Sequence, residues 1–166
     1  MDVSPAPADE ERLEPSDVTF RLMAEAMPQL VWAARPDGRR DYFNERWYAF
    51  TGMPRSGEVD WRDYLHGDDA AGVEAAWARA LERGELYEVE LRLKEAATGA
   101  YRWFLERAAP LRDEAGEIVR WIGTDTDVDE AKRAEGAAAV LARAGELPRE
   151  RHLRGVAVLH RDAARA

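Results

Sequence analysis

The run YEVELRLKEAATGAYRWFLERAAPLRDEAGEIVRWIGTDTDVDEAK, residues 87–132, decides the fold. In its first part Tyr87, Val89, Leu91 and Leu93 alternate with Glu88, Glu90, Arg92 and Lys94. Successive side chains of an extended chain point to opposite faces, so this period of two predicts a strand with one face buried and one wet. Thr98-Gly99 breaks the alternation as a hairpin loop does. A second strand is expected over 100–111, with Tyr101, Trp103 and Leu105 sharing a face. The stretch from Asp113 to Gly116 supplies the next turn. A third strand follows over 117–123, carrying Ile118, Trp121 and Ile122. Such an antiparallel meander exposes an apolar face that other elements must cover.

The preceding residues can supply that cover. Ser16 or Asp17 is placed to cap a helix over 18–27, with Phe20, Met23, Ala24 and Met27 at helical spacing. This helix lies either on the outer face of the sheet or against a second copy. Pro28 ends it. A strand is expected over 29–35, where Leu30 and Trp32 alternate with Val31 and Ala33, and Pro36-Asp37-Gly38 turns the chain into a strand over 39–44. Asn44 and Gly52 are a natural N-cap and C-cap for the helix between them. After a polar loop over 54–60 and a single helical turn over 61–65, Asp68 or Asp69 is expected to cap a helix that ends at Gly84. Val73, Ala76, Trp77, Ala80 and Leu81 form its apolar stripe, the candidate cover for the meander.

Composition narrows the function classes. The length of 166 residues suits one domain with tails, and 46% hydrophobic residues can build a core. A net charge of -9 argues against nucleic-acid binding, which needs clustered Lys and Arg. With no cysteine, disulfides, thiolate catalysis and Cys-ligated metals are excluded. No apolar run is long enough to span a membrane. The acidic first residues lack the apolar core of a secretory signal, so a cytoplasmic location is expected.

Residues 87–132 resemble the C-terminal half of a PAS domain with its PAC motif, of the type found in bacterial sensor histidine kinases. The resemblance rests on Glu90-Leu91-Arg92, Tyr101-Arg102-Trp103, Pro110-Leu111-Arg112-Asp113, Gly116 and WIGTDTDVD over 121–129, followed by Lys132-Arg133-Ala134-Glu135. The Asp37-Gly38 hairpin ending in Asn44 is similar to the family's opening, whereas Gly67 departs from its usual His-Pro-Asp-Asp. The resemblance implies an α+β PAS fold: a five-stranded antiparallel sheet in the order 2-1-5-4-3, with helices covering one face. Pro5, Pro7 and Pro15 among Asp, Glu and Ala read as a disordered leader over 1–16, and the resemblance implies the domain over 17–133 and an exit helix with a basic tail over 134–166. The heptad signal in that helix is poor, and Gly136 and Gly145 each weaken it by roughly 1 kcal/mol relative to Ala. The implied function is sensory signal transduction, by ligand sensing and protein–protein contact as a homodimer or with a signalling partner. One alternative is the N-terminal sensor fragment of a two-component histidine kinase lacking its catalytic domain. Another is a haem- or flavin-binding receptor, although without cysteine the cysteinyl-flavin chemistry of the light-oxygen-voltage branch is excluded.

No catalytic set, phosphate loop or metal site emerges from the residues, so no enzymatic activity is expected. Trp32, Phe43, Tyr48, Phe50, Trp77, Leu81, Trp103 and Trp121 are the candidates to line a ligand cavity; the bland alternative is that they fill it. No cofactor is assigned, and a small ligand of unknown identity remains open. His66 reads as a loop histidine rather than a haem or metal ligand. The sequence Arg151-His152-Leu153-Arg154 is faintly similar to a kinase phospho-acceptor box, but lacks the acidic residue and proline that follow the histidine there. Asp125, Asp127 and Asp129 lack the glycine and terminal glutamate of a calcium loop. The resemblance gives this series another role, tying the last strand to the exit helix, through Asp127 first and Asp125 second. Glu90 and Arg92 share one strand face, with Arg102 and Glu106 as candidate partners.

Overall fold

The computed structural model describes residues 15–57 and 59–145. The expected leader up to Glu14, and the tail with His152 and His160, lie outside these residues. The chain divides into two compact units, 1–132 and 133–166.

The first unit is built on β1 (Leu30–Ala34), β2 (Arg40–Phe43), β3 (Tyr87–Lys94), β4 (Tyr101–Arg112) and β5 (Ile118–Asp127). They form one antiparallel sheet in the order β2-β1-β5-β4-β3, the order implied by the resemblance. The helices are α1 (Pro15–Ala26), α2 (Glu45–Thr51), α3 (Gly67–Arg83) and α4 (Asp129–Gly145), with a 3-10 turn at Trp61–Tyr64. The stripe of α3 buries Val73, Trp77 and Ala80 against Leu91 and Leu93 of β3, as its spacing predicts.

All five residues of β1 are buried because both of its faces are covered. Leu30, Trp32 and Ala34 enter the main core. Val31 and Ala33 lie with Tyr42 under Ala24 and Phe20 of α1 and Met27 just beyond it. The first helix therefore takes the outer sheet face. Asn44 fastens the layers together. Its amide donates to the carbonyls of Ala24 (3.1 Å) and Gln29 (3.0 Å), while its Oδ1 accepts from the N–H groups of Val31 (3.0 Å) and Trp47 (3.2 Å). It is thus the N-cap of α2 and, in addition, a buried tie between α1 and β1. Gly52 ends α2 in the left-handed region, as expected.

Two local expectations need correction. His66, not Asp68 or Asp69, caps α3: its Nδ1 accepts from the Asp68 N–H at 3.2 Å. Asp69 is free to reach Arg92 instead. On β4 the buried residues are Phe104, Glu106 and Ala108, not the Tyr101, Trp103 and Leu105 face. The β3–β4 register pairs Leu91 with Phe104 and Arg92 with Trp103, so Trp103 shares the parity of the polar residues of β3.

Candidate functional site

Arg40 opens β2 opposite Ala34, where the β1–β2 register is irregular. Its guanidinium lies between two indoles, 3.6 Å from the ring centroid of Trp32 and 3.5 Å from that of Trp61. Both terminal nitrogens donate to Glu106 of β4, at 3.0 and 2.6 Å. The side chains are 1% and 0% exposed. A pair so deep is held by its bidentate geometry, and removing one partner strands a buried charge.

Glu106 stands directly across the strands from Asp125 of β5, itself 1% exposed. Burial pushes Glu106 upward, but the Arg40 charge and the hydrogen bonds it receives prevail and hold it below the usual carboxylate range. Burial raises Asp125 well above that range, and the negative Glu106 raises it further. Two like charges this close in a dry core do not both persist. The pair therefore keeps one proton, carried by Asp125, whose O–H faces Glu106. No donor from another described residue reaches either Asp125 oxygen. The Tyr87 hydroxyl, Arg40 Nε and the Nε1 atoms of Trp32 and Trp121 are likewise buried without a hydrogen-bond partner. Burial, with Glu106 adding, drives the Tyr87 hydroxyl far above its ordinary value.

An open cleft of about 690 Å³ is lined by residues that include Gly38, Arg40, Trp61, Arg62, Trp77 and Leu81, whereas Glu106, Asp125 and Tyr87 are not among its walls. Trp77 Nε1 donates to the Gly38 carbonyl at 3.3 Å. Gly38 has φ +88°, and a Cβ there would lie 2.5 Å from Leu81 Cδ1, so the turn requires glycine.

A second constellation lies where β5 enters α4. Asp127 accepts from Arg102 of β4 at 2.8 and 2.9 Å, and its other oxygen accepts from the Asp129 N–H at 2.9 Å, closing the first turn of α4. Asp129 accepts from the Trp103 N–H at 3.2 Å. Lys132 pairs with Glu90 of β3 at 2.5 Å. Arg92 forms a bidentate pair with Asp69 of α3 at 2.9 and 2.7 Å, and these hydrogen bonds hold Asp69 below its ordinary value. The Trp103 ring lies under both cations, Arg92 at 4.8 Å and Lys132 at 5.6 Å. One chain of contacts thus runs from the start of α3 across β3 and β4 to the start of α4.

A family model described as a PAS fold matches residues 40–125, more than half of the chain. The chain belongs to the PAS family. Protein y4lL of Sinorhizobium fredii is 36% identical to this PAS domain over 134 residues, 80% of this chain and 16% of that protein. The peroxide stress-activated histidine kinase mak1 of Schizosaccharomyces pombe is 29% identical over 70% of this chain and 7% of its own length. The sensor protein FixL of Bradyrhizobium diazoefficiens is 37% identical over 55% of this chain and 16% of its own. The PAS domain therefore spans a sixth or less of these relatives. Among solved structures, a sensory box histidine kinase/response regulator from Burkholderia thailandensis superposes with a TM-score of 0.58 at 28% identity, covering 75% of this chain and 95% of that one. This is a sensor domain of the PAS type, homologous to the sensor modules of histidine kinases.

The PAS fold distributes the eight cavity candidates unevenly. Trp77 and Leu81 line the cleft. Trp32 and Trp121 are fully buried around Trp77, at ring distances of 5.5 and 5.1 Å. Phe43, Tyr48 and Phe50 pack at the edge of the core, and Tyr48 lies under Arg55. Trp103 belongs to the contact chain at α4 and not to the core. Of the relay candidates, Asp127, Glu90 and Arg92 meet at that chain, whereas Asp125 lies in the buried cluster. The expected partners are corrected too: Glu90 pairs with Lys132, Arg92 with Asp69, Arg102 with Asp127 and Glu106 with Arg40. Arg40 and Trp61 were not among the sequence candidates, and Tyr87 was expected only as one of a buried strand face. The available signal was Glu106, a charge at the same strand parity as Phe104 and Ala108. Among the described residues no group of His, Asp and Glu is placed to hold a metal ion, and no helix is long and apolar enough to cross a membrane.

Proposed function

We propose that this PAS domain is a sensing module that converts occupancy of its cleft, or contact with a partner, into a change at the start of α4. The observation that carries the reading is the contact chain Asp69–Arg92–Trp103–Lys132–Glu90, with Asp127 bridging Arg102 and the first turn of α4. A ligand bearing on Trp61, Trp77 or Arg40 shifts the packing of α3 and β4 together. The Asp69–Arg92 and Arg102–Asp127 pairs then transmit that shift to α4. In this reading residues 17–133 sense, residues 134–166 form the exit helix and tail, and the output is a homodimer or a signalling partner in the cytoplasm. The domain carries no catalysis of its own and binds neither nucleic acid nor membrane. The coverage of a sixth or less of the relatives favours a second reading, the sensor fragment of a histidine kinase whose catalytic part lies elsewhere.

Native mass spectrometry of the full chain purified from cells tests the proposal. A mass excess lost on denaturation is expected, and a bare monomer counts against both ligand sensing and dimer output. A haem or flavin would give visible absorbance, and colourless protein is expected.

A further inference from the structure

His66 joins three elements at the head of the contact chain. Its backbone N–H donates to the Arg92 carbonyl of β3 at 2.9 Å, and its own carbonyl accepts from the Asp69 N–H of α3 at 2.9 Å. Its ring meets the Tyr101 ring of β4 edge-on, with the centroids 4.8 Å apart. Its Nδ1 accepts from the Asp68 N–H at 3.2 Å and so caps α3. A ring nitrogen accepts only while it carries no proton, so this cap belongs to the neutral imidazole alone. The same Nδ1 lies 3.7 Å from Asp68 Oδ2, which places a carboxylate beside the ring should it become charged. The side chain is 29% exposed, so solvent can deliver the proton. The preferred N-caps, Ser, Thr, Asp and Asn, keep their charge near neutral pH, whereas histidine gains and loses a proton between about pH 5 and 8.

We infer that His66 is a proton-operated cap through which pH acts on the start of α3. Uptake of one proton from solvent at Nδ1 breaks the hydrogen bond from the Asp68 N–H. The imidazolium turns its new Nδ1–H to Asp68 Oδ2, and the first turn of α3 loses its side-chain cap. The charged and titratable groups around the ring are Asp68 and Asp69 of α3, Arg92 of β3 and Tyr101 of β4, with Lys94 of β3 across from Tyr101. The two carboxylates favour the proton and the two cations oppose it. Asp69 lies in the turn that is uncapped. It accepts from the Arg92 backbone N–H at 2.9 Å as well as from the Arg92 guanidinium. Loosening that turn therefore bears on the contact chain that ends at α4. This last step rests on the relay proposed above, and it makes the proton an input beside a ligand or partner.

NMR titration of the isotope-labelled full chain between about pH 5 and 8 tests the switch. As pH falls, the Asp68 amide proton is expected to shift upfield with the same midpoint as the His66 ring protons. His66→Asn supplies a capping oxygen that does not titrate, so its Asp68 amide should hold still over the range. His66→Ala has no cap at any pH, so its Asp68 amide should lie upfield throughout. A wild-type Asp68 amide that does not follow the His66 ring, or one that still titrates in His66→Asn, would overturn the proposal and leave the relay reading standing. The amides of residues 129–132 should move with the His66 midpoint in wild type and hold still in His66→Asn. A response confined to the start of α3 would uphold the switch and remove the relay to α4.

Discussion

At the scale of single residues, Gly123, Arg40 and Glu106 carry constraints that their neighbours cannot relax. A Cβ on Gly123 would lie 2.2 Å from Cε2 of Trp32, whose indole is fully buried and clamped by Arg40. Gly123→Ala is expected to cost about 1–3 kcal/mol by overpacking, read from urea denaturation. The Arg40–Glu106 pair calls for a paired test. Arg40→Met strands the Glu106 charge and should lower stability by about 3–5 kcal/mol. Adding Glu106→Leu removes the stranded charge, so the double variant should recover much of that loss in the same denaturation experiment. If the single and double variants are equally unstable, packing and not charge sets the cost.

At the scale of elements, the start of α4 depends on a few polar contacts. Asp127 closes its first turn and Lys132 ties it to β3. Both pairs are partly exposed, so each is worth about 0–1 kcal/mol to global stability. Asp127→Ala and Lys132→Ala are therefore expected to leave the denaturation midpoint nearly unchanged. They should raise amide exchange at residues 129–132 while β4 and β5 stay protected, as hydrogen-exchange mass spectrometry would show. Loss of protection throughout β5 would mean that α4 and the sheet open as one unit. The two ends of the contact chain were open to the sequence reading to different degrees. Asp127 was legible through the family resemblance, which expects an acidic residue there to tie the last strand to the exit helix. Trp103 was not. Its bulk suggested a core face, but the hairpin register that places Phe104 opposite Leu91 turns Trp103 to the other side.

At the scale of the whole molecule, perturbed carboxyls shape the pH dependence of folding in opposite directions. Asp69 and Glu106 sit below their ordinary values, so the stability they contribute is present above the ordinary carboxylate range and lost as pH falls through their lowered values. Asp125 sits above its ordinary value. Its contribution is complete below about pH 4, the unfolded value, and is lost as pH rises through the raised one. Asp125→Asn removes only this second dependence. Relative to wild type, the variant should therefore gain stability steadily as pH rises from about 4 to 8, measured as thermal midpoints across that range. A difference that does not change with pH would mean that Asp125 ionises as readily in the folded chain as in the unfolded one.

The sequence by itself determined the elements and most of their caps. Period-two and period-3.6 patterns, Gly52 and Gly84 after helices, and Asn44 before one are local signals, and local hydrogen bonding enforces them. The sheet order came from resemblance and agrees with the pairing found. Tertiary structure alone decided which charges meet. Arg40 and Glu106 are 66 residues apart, and Arg120 and Asp41 are 79 apart. No spacing rule relates such positions, because their proximity follows from β1 and β2 inserting beside β5. Burial then gives the cluster its chemistry: in water Glu106 and Asp125 would both ionise, and only the dry space between β4 and β5 leaves one proton for the pair.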